Sequence, residues 1–242
     1  VLGAVYLLHL LALGKAKRFI PTLIAYVLVM VGLFLSFSRG AIGATIIGSM
    51  MVFAFGYITC GSAKIRRRIL LTVVTLVVLA GIGTLVALSI ESVRTLIELR
   101  FNPVQDYDGG PTGRFGNQIR SLPMLLELPN GFGPLRFRLT FGLEPHNSYI
   151  NGFACYGWIG GFAWLLIVGT SCWLGFRLML VPSPYRQQAQ VWFCALFVLL
   201  LQGFQIDIDH WRWIFLCFAA VWGLETARLR WQRQQDMASP GL

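Results

Sequence analysis

With 242 residues, 56% of them hydrophobic and only 12% charged, the chain carries about half the roughly 25% charge of an ordinary soluble domain. Apolar runs of about 20 residues recur along it, the length that spans a bilayer, so the composition excludes a water-soluble fold and indicates an all-α, polytopic transmembrane helical bundle. The net charge of +10 would suggest nucleic acid as the partner of a soluble protein, but the charges sort by side of the membrane and no nucleic-acid surface is expected.

Residues 1–14 read as a first span. The chain opens inside an apolar run with Val1 rather than Met, so it is expected to be the C-terminal part of a longer protein. The run lacks a preceding basic region, and no cleavable signal peptide is expected. Lys15, Lys17 and Arg18 close it. A second span covers residues 19–37, with Pro21 in its first turn, where a missing N–H costs little. Ser38-Arg39-Gly40 reads as a hairpin tip, and a third span follows over residues 41–60. Its small residues, among them Gly43, Ala44 and Gly48, would let a neighbouring helix approach closely. The basic cluster of Lys64, Arg66, Arg67 and Arg68 ends it, and a Val/Leu-rich fourth span covers residues 69–90.

A long polar loop, residues 91–147, then interrupts the apolar sequence. It holds six of the ten acidic residues and six of the twenty Lys/Arg, and a connection of this length between spans is uncommon unless it carries function. Its first part sets Val93, Leu96, Ile97 and Phe101 on one helical face against Glu91, Arg94 and Glu98, an amphipathic helix suited to the membrane surface. Residues 102–113 are turn-forming, 114–128 form another short helix, and Asn130-Gly131-Phe132-Gly133-Pro134 is again a turn. Three further spans follow within residues 148–227: residues 157–181 with an apolar lead-in from Tyr149, residues 189–206, and a last one ending near Ala227. A short polar tip, residues 207–212, joins the last two, and residues 228–242 form a basic tail, surface-bound and then disordered. The five cysteines make no CxxC pair and no zinc spacing, so they read as packing residues.

Seven alternating spans put twelve Lys/Arg and two acids on one side and eight Arg with eight acids on the other. The whole net charge lies on the first side, which the positive-inside rule makes cytoplasmic. The long loop, Arg39 and the 207–212 tip therefore face outward together.

The outward segments hold the candidate chemistry. Arg39 at a membrane boundary reads either as a snorkelling anchor or as a phosphate ligand. Arg114, Arg120, Arg136 and Arg138 are either solvated charge or planar forks suited to phosphate. His146, between Pro145 and Asn147, is either structural or a general base at neutral pH, with Glu144 or Asn147 near enough in sequence to orient the ring or a substrate. Asp207, Asp209 and His210 provide too few ligands for a metal, and helix-end hydrogen bonding is the better reading; no metal and no cofactor are expected. Gly109-Gly110 and Gly131-Phe132-Gly133 are turns, because no strand–turn–helix context supports a nucleotide loop.

Ser38-Arg39-Gly40 at an outer span end, Arg114 fifteen residues before Pro129-Asn130-Gly131-Phe132-Gly133, then His146-Asn147-Ser148-Tyr149 and Tyr156-Gly157-Trp158-Ile159-Gly160 resemble, in that order, the O-antigen ligase/polymerase superfamily. Ile206 to Arg212 also looks like the last outer loop of some members. The resemblance implies a GT-C-like helical bundle in the bacterial inner membrane, with a large periplasmic loop and a cytoplasmic C-terminus. The implied reaction transfers a glycan from undecaprenyl diphosphate to an acceptor hydroxyl, lipid A–core in the ligase reading, without metal and with inversion at C1. It implies that Arg39 and Arg114 hold the diphosphate and that His146 is the base. Arg120, Arg136, Arg138, Asn147, Asp209, His210 and Arg212 remain secondary candidates. The expected partners are the polyprenyl-linked donor, a lipid or glycan acceptor, and the membrane. A polymerase acting on the same donor, or a non-catalytic transporter or scaffold, is the alternative. Ion transport usually leaves ionisable residues near the midplane, and the second, third, fourth and sixth spans contain none.

Overall fold

The computed structural model describes residues 1–13, 19–100 (the side chains of 96 and 98–100 excepted), 110 and 112–238. All regular secondary structure among the described residues is helical. The chain forms two compact units, Val1–Pro103 and Val104–Leu242, so the boundary falls inside the long polar loop.

In the first unit, α1 (Leu2–Ala12) packs against α2 (Phe19–Leu35), α3 (Arg39–Thr59) and α4 (Ala63–Ser89). Ala4, Leu8 and Leu11 of α1 and Tyr26 of α2 form the core, with Met30, Phe53 and Leu76 packed against it. The Ser38-Arg39-Gly40 segment is not a free tip. Ser38 is the N-cap of α3, its side chain accepting the Ala41 N–H at 3.3 Å, so Arg39 and Gly40 form the first turn. The reversal lies just upstream, where Phe37 takes a left-handed φ of 48°. The basic cluster also falls differently from expectation, because α3 ends at Thr59 and residues 64–68 open α4. Arg66 Nε donates to the Cys60 carbonyl at 3.0 Å and so satisfies the end of α3. A short fifth helix, α5 (Glu91–Arg100), follows and packs on α4. Phe101, expected on its apolar face, and the turn-forming stretch 102–109 lie outside the described residues.

Helix α4 buries one residue, Ile69. Val77 and Leu85 are 66% and 69% exposed. A helix apolar all round with so little protein around it needs a non-aqueous environment. Among the described residues, three helices are long and apolar enough to cross a membrane: α3, α4 and α8. At 1.5 Å per residue, the 21 residues of α3 extend about 31 Å, close to the roughly 30 Å of a hydrocarbon core. The 11 residues of α1 reach about 16 Å and the 17 of α2 about 25 Å.

The second unit is built on α8 (Ser148–Leu180), α9 (Arg186–Gln202) and α10 (Arg212–Ala238), which pack pairwise, with α6 (Arg114–Glu127) against α8 and the short α7 (Phe137–Phe141) beside it. Phe193, Leu196, Leu178, Ile214 and Val221 fill the centre. At the end of α8, Arg228 binds buried Glu225 through Nη2 at 2.7 Å and Nε at 2.8 Å, and Arg177 reaches the same carboxylate at 3.2 Å. A buried carboxylate is tolerable because two guanidiniums meet it. Two boundaries depart from expectation. Helix α9 stops at Gln202, which frees residues 203–206 for a loop, and α10 continues through the basic tail to Ala238.

Candidate functional site

The site forms where the loop of residues 203–211 folds over the N-terminus of α8. Asn147 caps that helix, its Oδ1 accepting the N–H groups of Tyr149 at 3.0 Å and Ile150 at 3.1 Å, the commonest use of Asn at this position. The first helical residues then bind the loop in succession. Ser148 N–H donates to the Gly203 carbonyl at 2.7 Å. Its hydroxyl donates to the Ile206 carbonyl at 3.1 Å and accepts the Ile208 N–H at 2.6 Å. Tyr149 donates its hydroxyl to the Leu200 carbonyl at 2.8 Å and lies 4.3 Å from the Phe204 ring. Asn151 Nδ2 donates to Asp209 Oδ2 at 2.8 Å. Ser148 is fully buried, so each of these polar groups needs its partner.

That docking brings Asp207 to His146. Asp207 Oδ1 accepts the Asn147 N–H at 2.8 Å, and Oδ2 lies 3.8 Å from His146 Nδ1. The carboxylate is 15% exposed and the imidazole 42%, so the ring is anchored on one side and open on the other. His146 has a left-handed φ of 48°. Histidine enters that region more readily than most residues, at roughly 1–2 kcal/mol. Gln118 on α6 holds this bend by donating to the Pro145 carbonyl at 2.8 Å and the His146 carbonyl at 3.5 Å. Burial pushes the Asp207 carboxyl above its ordinary range, and the nearby Asp209 adds to the shift. The Asn147 N–H and His146 oppose it.

Arg114, the first residue of α6, reaches the same loop. Its Nη1 donates to the Gln205 carbonyl at 3.2 Å, and the guanidinium lies 4.8 Å from the centre of the Phe115 ring. His146 and Arg114 thus both meet the 203–211 loop that carries Asp207, within the second unit. The other loop arginines do other things. Arg120 lies over the Phe141 ring at 5.7 Å. Arg138 faces Glu144 at 3.7 Å and Asn147 serves the helix cap, so the carboxylate facing the ring is that of Asp207 rather than either of the two neighbours expected to orient it. Arg136 is exposed in the turn before α7. His210 is exposed and 3.9 Å from Asp209. Arg212 begins α10. Arg39 belongs to the first unit. Among the described residues, no three His, Cys, Asp or Glu side chains gather as metal ligands would.

The two glycine motifs meet each other. Helix α8 breaks at Gly157, which adopts φ 67° and ψ −163°, a region essentially reserved for glycine. The break frees backbone groups, and the loop of residues 129–133 satisfies them. Phe132 N–H and Gly133 N–H donate to the Ala154 carbonyl at 2.8 and 3.1 Å, and Trp158 N–H donates to the Pro129 carbonyl at 2.9 Å. Trp158 Nε1 donates to the Leu125 carbonyl of α6 at 2.9 Å. A side chain at Gly131 would meet the Phe153 and Ala154 carbonyls, and one at Gly157 the Pro129 carbonyl. The motifs fasten α6, with Arg114, to α8, with His146 at its entry.

No family model matches the chain, and neither a curated protein nor a solved structure does.

Chemically, a carboxylate facing Nδ1 selects, of the neutral ring's two tautomers, the one with its proton on that nitrogen, which leaves the Nε2 lone pair free to accept a proton. At 3.8 Å the pair is longer than a hydrogen bond, and such pairs often tighten only with substrate bound. The sequence offered no periodic signal for Gln118, Ser148 or the pairing of Asp207 with His146. Ser148, directly after a helix cap, was the available hint.

Proposed function

We propose that the chain catalyses transfer of a glycan from undecaprenyl diphosphate to an acceptor hydroxyl at the outer face of a bacterial inner membrane. The observation that carries this reading is the juxtaposition of His146 with Asp207 on a loop that Arg114 also binds. The family resemblance supplies the substrate class. In this reading the acceptor O–H gives its proton to His146 Nε2 as the oxygen attacks C1. The C1–O bond to the diphosphate breaks, and its electron pair leaves with undecaprenyl diphosphate. Arg114 stabilises the charge growing on that leaving group. Arg39 is assigned the same role on the resemblance alone. A single displacement inverts C1.

Seven helices cross the membrane in this reading, α1, α2, α9 and α10 beside α3, α4 and α8, with the basic ends cytoplasmic. Lipid A–core is the favoured acceptor. The test is transfer rate and donor affinity measured with purified protein and a polyprenyl-diphosphate glycan. His146→Ala should lower turnover by about 10²–10⁴-fold, the usual worth of general-base assistance, and leave donor affinity within about twofold. Near-normal turnover in folded His146→Ala protein removes histidine from the mechanism. No transfer by the wild-type chain to any acceptor tried refutes the activity.

A further inference from the structure

We propose that Trp211, Arg212, Trp213 and Leu216 form a saccharide-binding subsite that seats a sugar ring of the acceptor glycan beside the His146–Asp207 pair. These four residues line an open groove of about 650 Å³ at the start of α10. The identity of the occupant as an acceptor rests on the transferase reading above.

The occupant is argued from the groove's chemistry. A sugar ring has a flat face of C–H bonds and a rim of hydroxyls, so it is bound by an apolar plate with a donor at the edge. Trp213 is 54% exposed and Leu216 52% exposed, which gives the plate, and Arg212 supplies a guanidinium beside it with donors but no acceptor. Tryptophan and arginine at a helix end are also what a bilayer interface attracts. These residues nevertheless border a wide-open depression of about 650 Å³, and a sugar ring needs only such a shallow seat, with one stacked face and a donor at its edge.

The groove is tethered to the candidate base. Trp211 follows Asp207 by four residues, a stretch that spans at most about 14 Å. The turn bond from Trp211 N–H to the Ile208 carbonyl at 3.0 Å shortens it further. A glycan of a few sugars can therefore lie in the groove while a hydroxyl at its end meets His146.

Two measurements test this. The probe is the lipid-free core oligosaccharide released from lipopolysaccharide by mild acid, and binding is read by saturation-transfer NMR on the full chain in detergent micelles. Wild-type protein should transfer saturation to the sugar ring protons. Trp213→Phe, which keeps an aromatic face, should retain the effect, and Trp213→Ala should lose most of it. In the transfer assay, Trp213→Ala should raise the acceptor KM about tenfold, equivalent to about 1.4 kcal/mol, and leave kcat and donor affinity unchanged. The subsite is overturned if both the NMR effect and the acceptor KM are unchanged in Trp213→Ala. It is also overturned if the wild-type chain gives no saturation transfer while spin-labelled phospholipid quenches Trp211 and Trp213, since the pair then anchors the helix in lipid. The two readings separate: saccharide binding that Trp213→Ala abolishes, in a protein with no transfer activity, keeps the subsite and refutes the transferase. Transfer with both the NMR effect and the acceptor KM unchanged in Trp213→Ala does the reverse.

Discussion

Replacing Asp207 by Asn separates its structural role from its effect on His146. The carboxylate accepts the Asn147 N–H at 2.8 Å with one oxygen and faces His146 at 3.8 Å with the other. Asparagine keeps an acceptor for the first contact but cannot supply negative charge for the second. Alanine removes both and leaves a part-buried N–H unpaired, which costs about 1–3 kcal/mol. Asp207→Ala should therefore lower thermal stability clearly and Asp207→Asn should not. The pH dependence gives the sign independently. Burial raises the folded-state pKa of this carboxyl above its ordinary value, so its contribution to stability is full below the ordinary carboxylate range and is lost as pH rises through the folded pKa. Relative to wild type, Asp207→Asn should hence be more stable at pH 7 than at pH 4. Activity should move the other way. Removing the carboxylate takes part of the base's contribution, up to about 10²–10⁴-fold at most, and should add little on a His146→Ala background. The assay is a double-mutant cycle in transfer rate beside thermal unfolding at the two pH values. Wild-type turnover in Asp207→Asn, or losses at Asp207 and His146 that simply multiply, would refute the pairing.

Arg114→Lys keeps a charge but not the fork that reaches the Gln205 carbonyl and would grip a diphosphate; transfer and donor affinity should fall nearly as far as in Arg114→Ala, and Arg39→Lys should behave likewise, whereas full activity in both lysine variants would reduce the role to bulk electrostatics. Transfer should survive EDTA if arginine stabilises the leaving group, and loss restored by magnesium would show otherwise. Gly157→Ala should destabilise the second unit by about 1–3 kcal/mol, because φ is 67° and the new methyl meets the Pro129 carbonyl; an unchanged melting temperature would mean that the docked loop contributes little.

Composition was enough to indicate an all-helical fold, because apolar runs leave no other way to satisfy the backbone in lipid. The ends of helices were harder to read. The expected sixth span ran on to Ile206 because Phe204 and Ile206 are apolar, yet α9 stops at Gln202. The carbonyls of Gly203, Phe204 and Ile206 instead serve Ser148 and Asn147, a demand set by residues more than fifty positions away. The tail looked polar enough to leave the fold, but Arg228 pairs with the buried Glu225 three residues earlier, and its helix runs on to Ala238. Hydropathy is blind to both, since each is decided by a specific partner.

The same blindness governed the site. His146 and Arg114 stood out only through the ordered motifs that carry the family resemblance, since a lone histidine is more often structural and a loop arginine is as often plain solvated charge. The orienting group did not, because Asp207 lies 61 positions from His146 and nothing in one sequence couples them. Nearness along the chain offered Glu144 and Asn147, of which the structure gives the first to Arg138 and the second to the cap of α8. The glycine motifs show the opposite case. Their spacing was visible, but its reason is the contact between the turn at 129–133 and the break at Gly157, where each removes backbone groups from water that the other satisfies. A helix that is broken and then repaired by a loop is rigid only while that loop is docked. The position of Arg114 relative to His146 therefore depends on two glycines that touch neither residue.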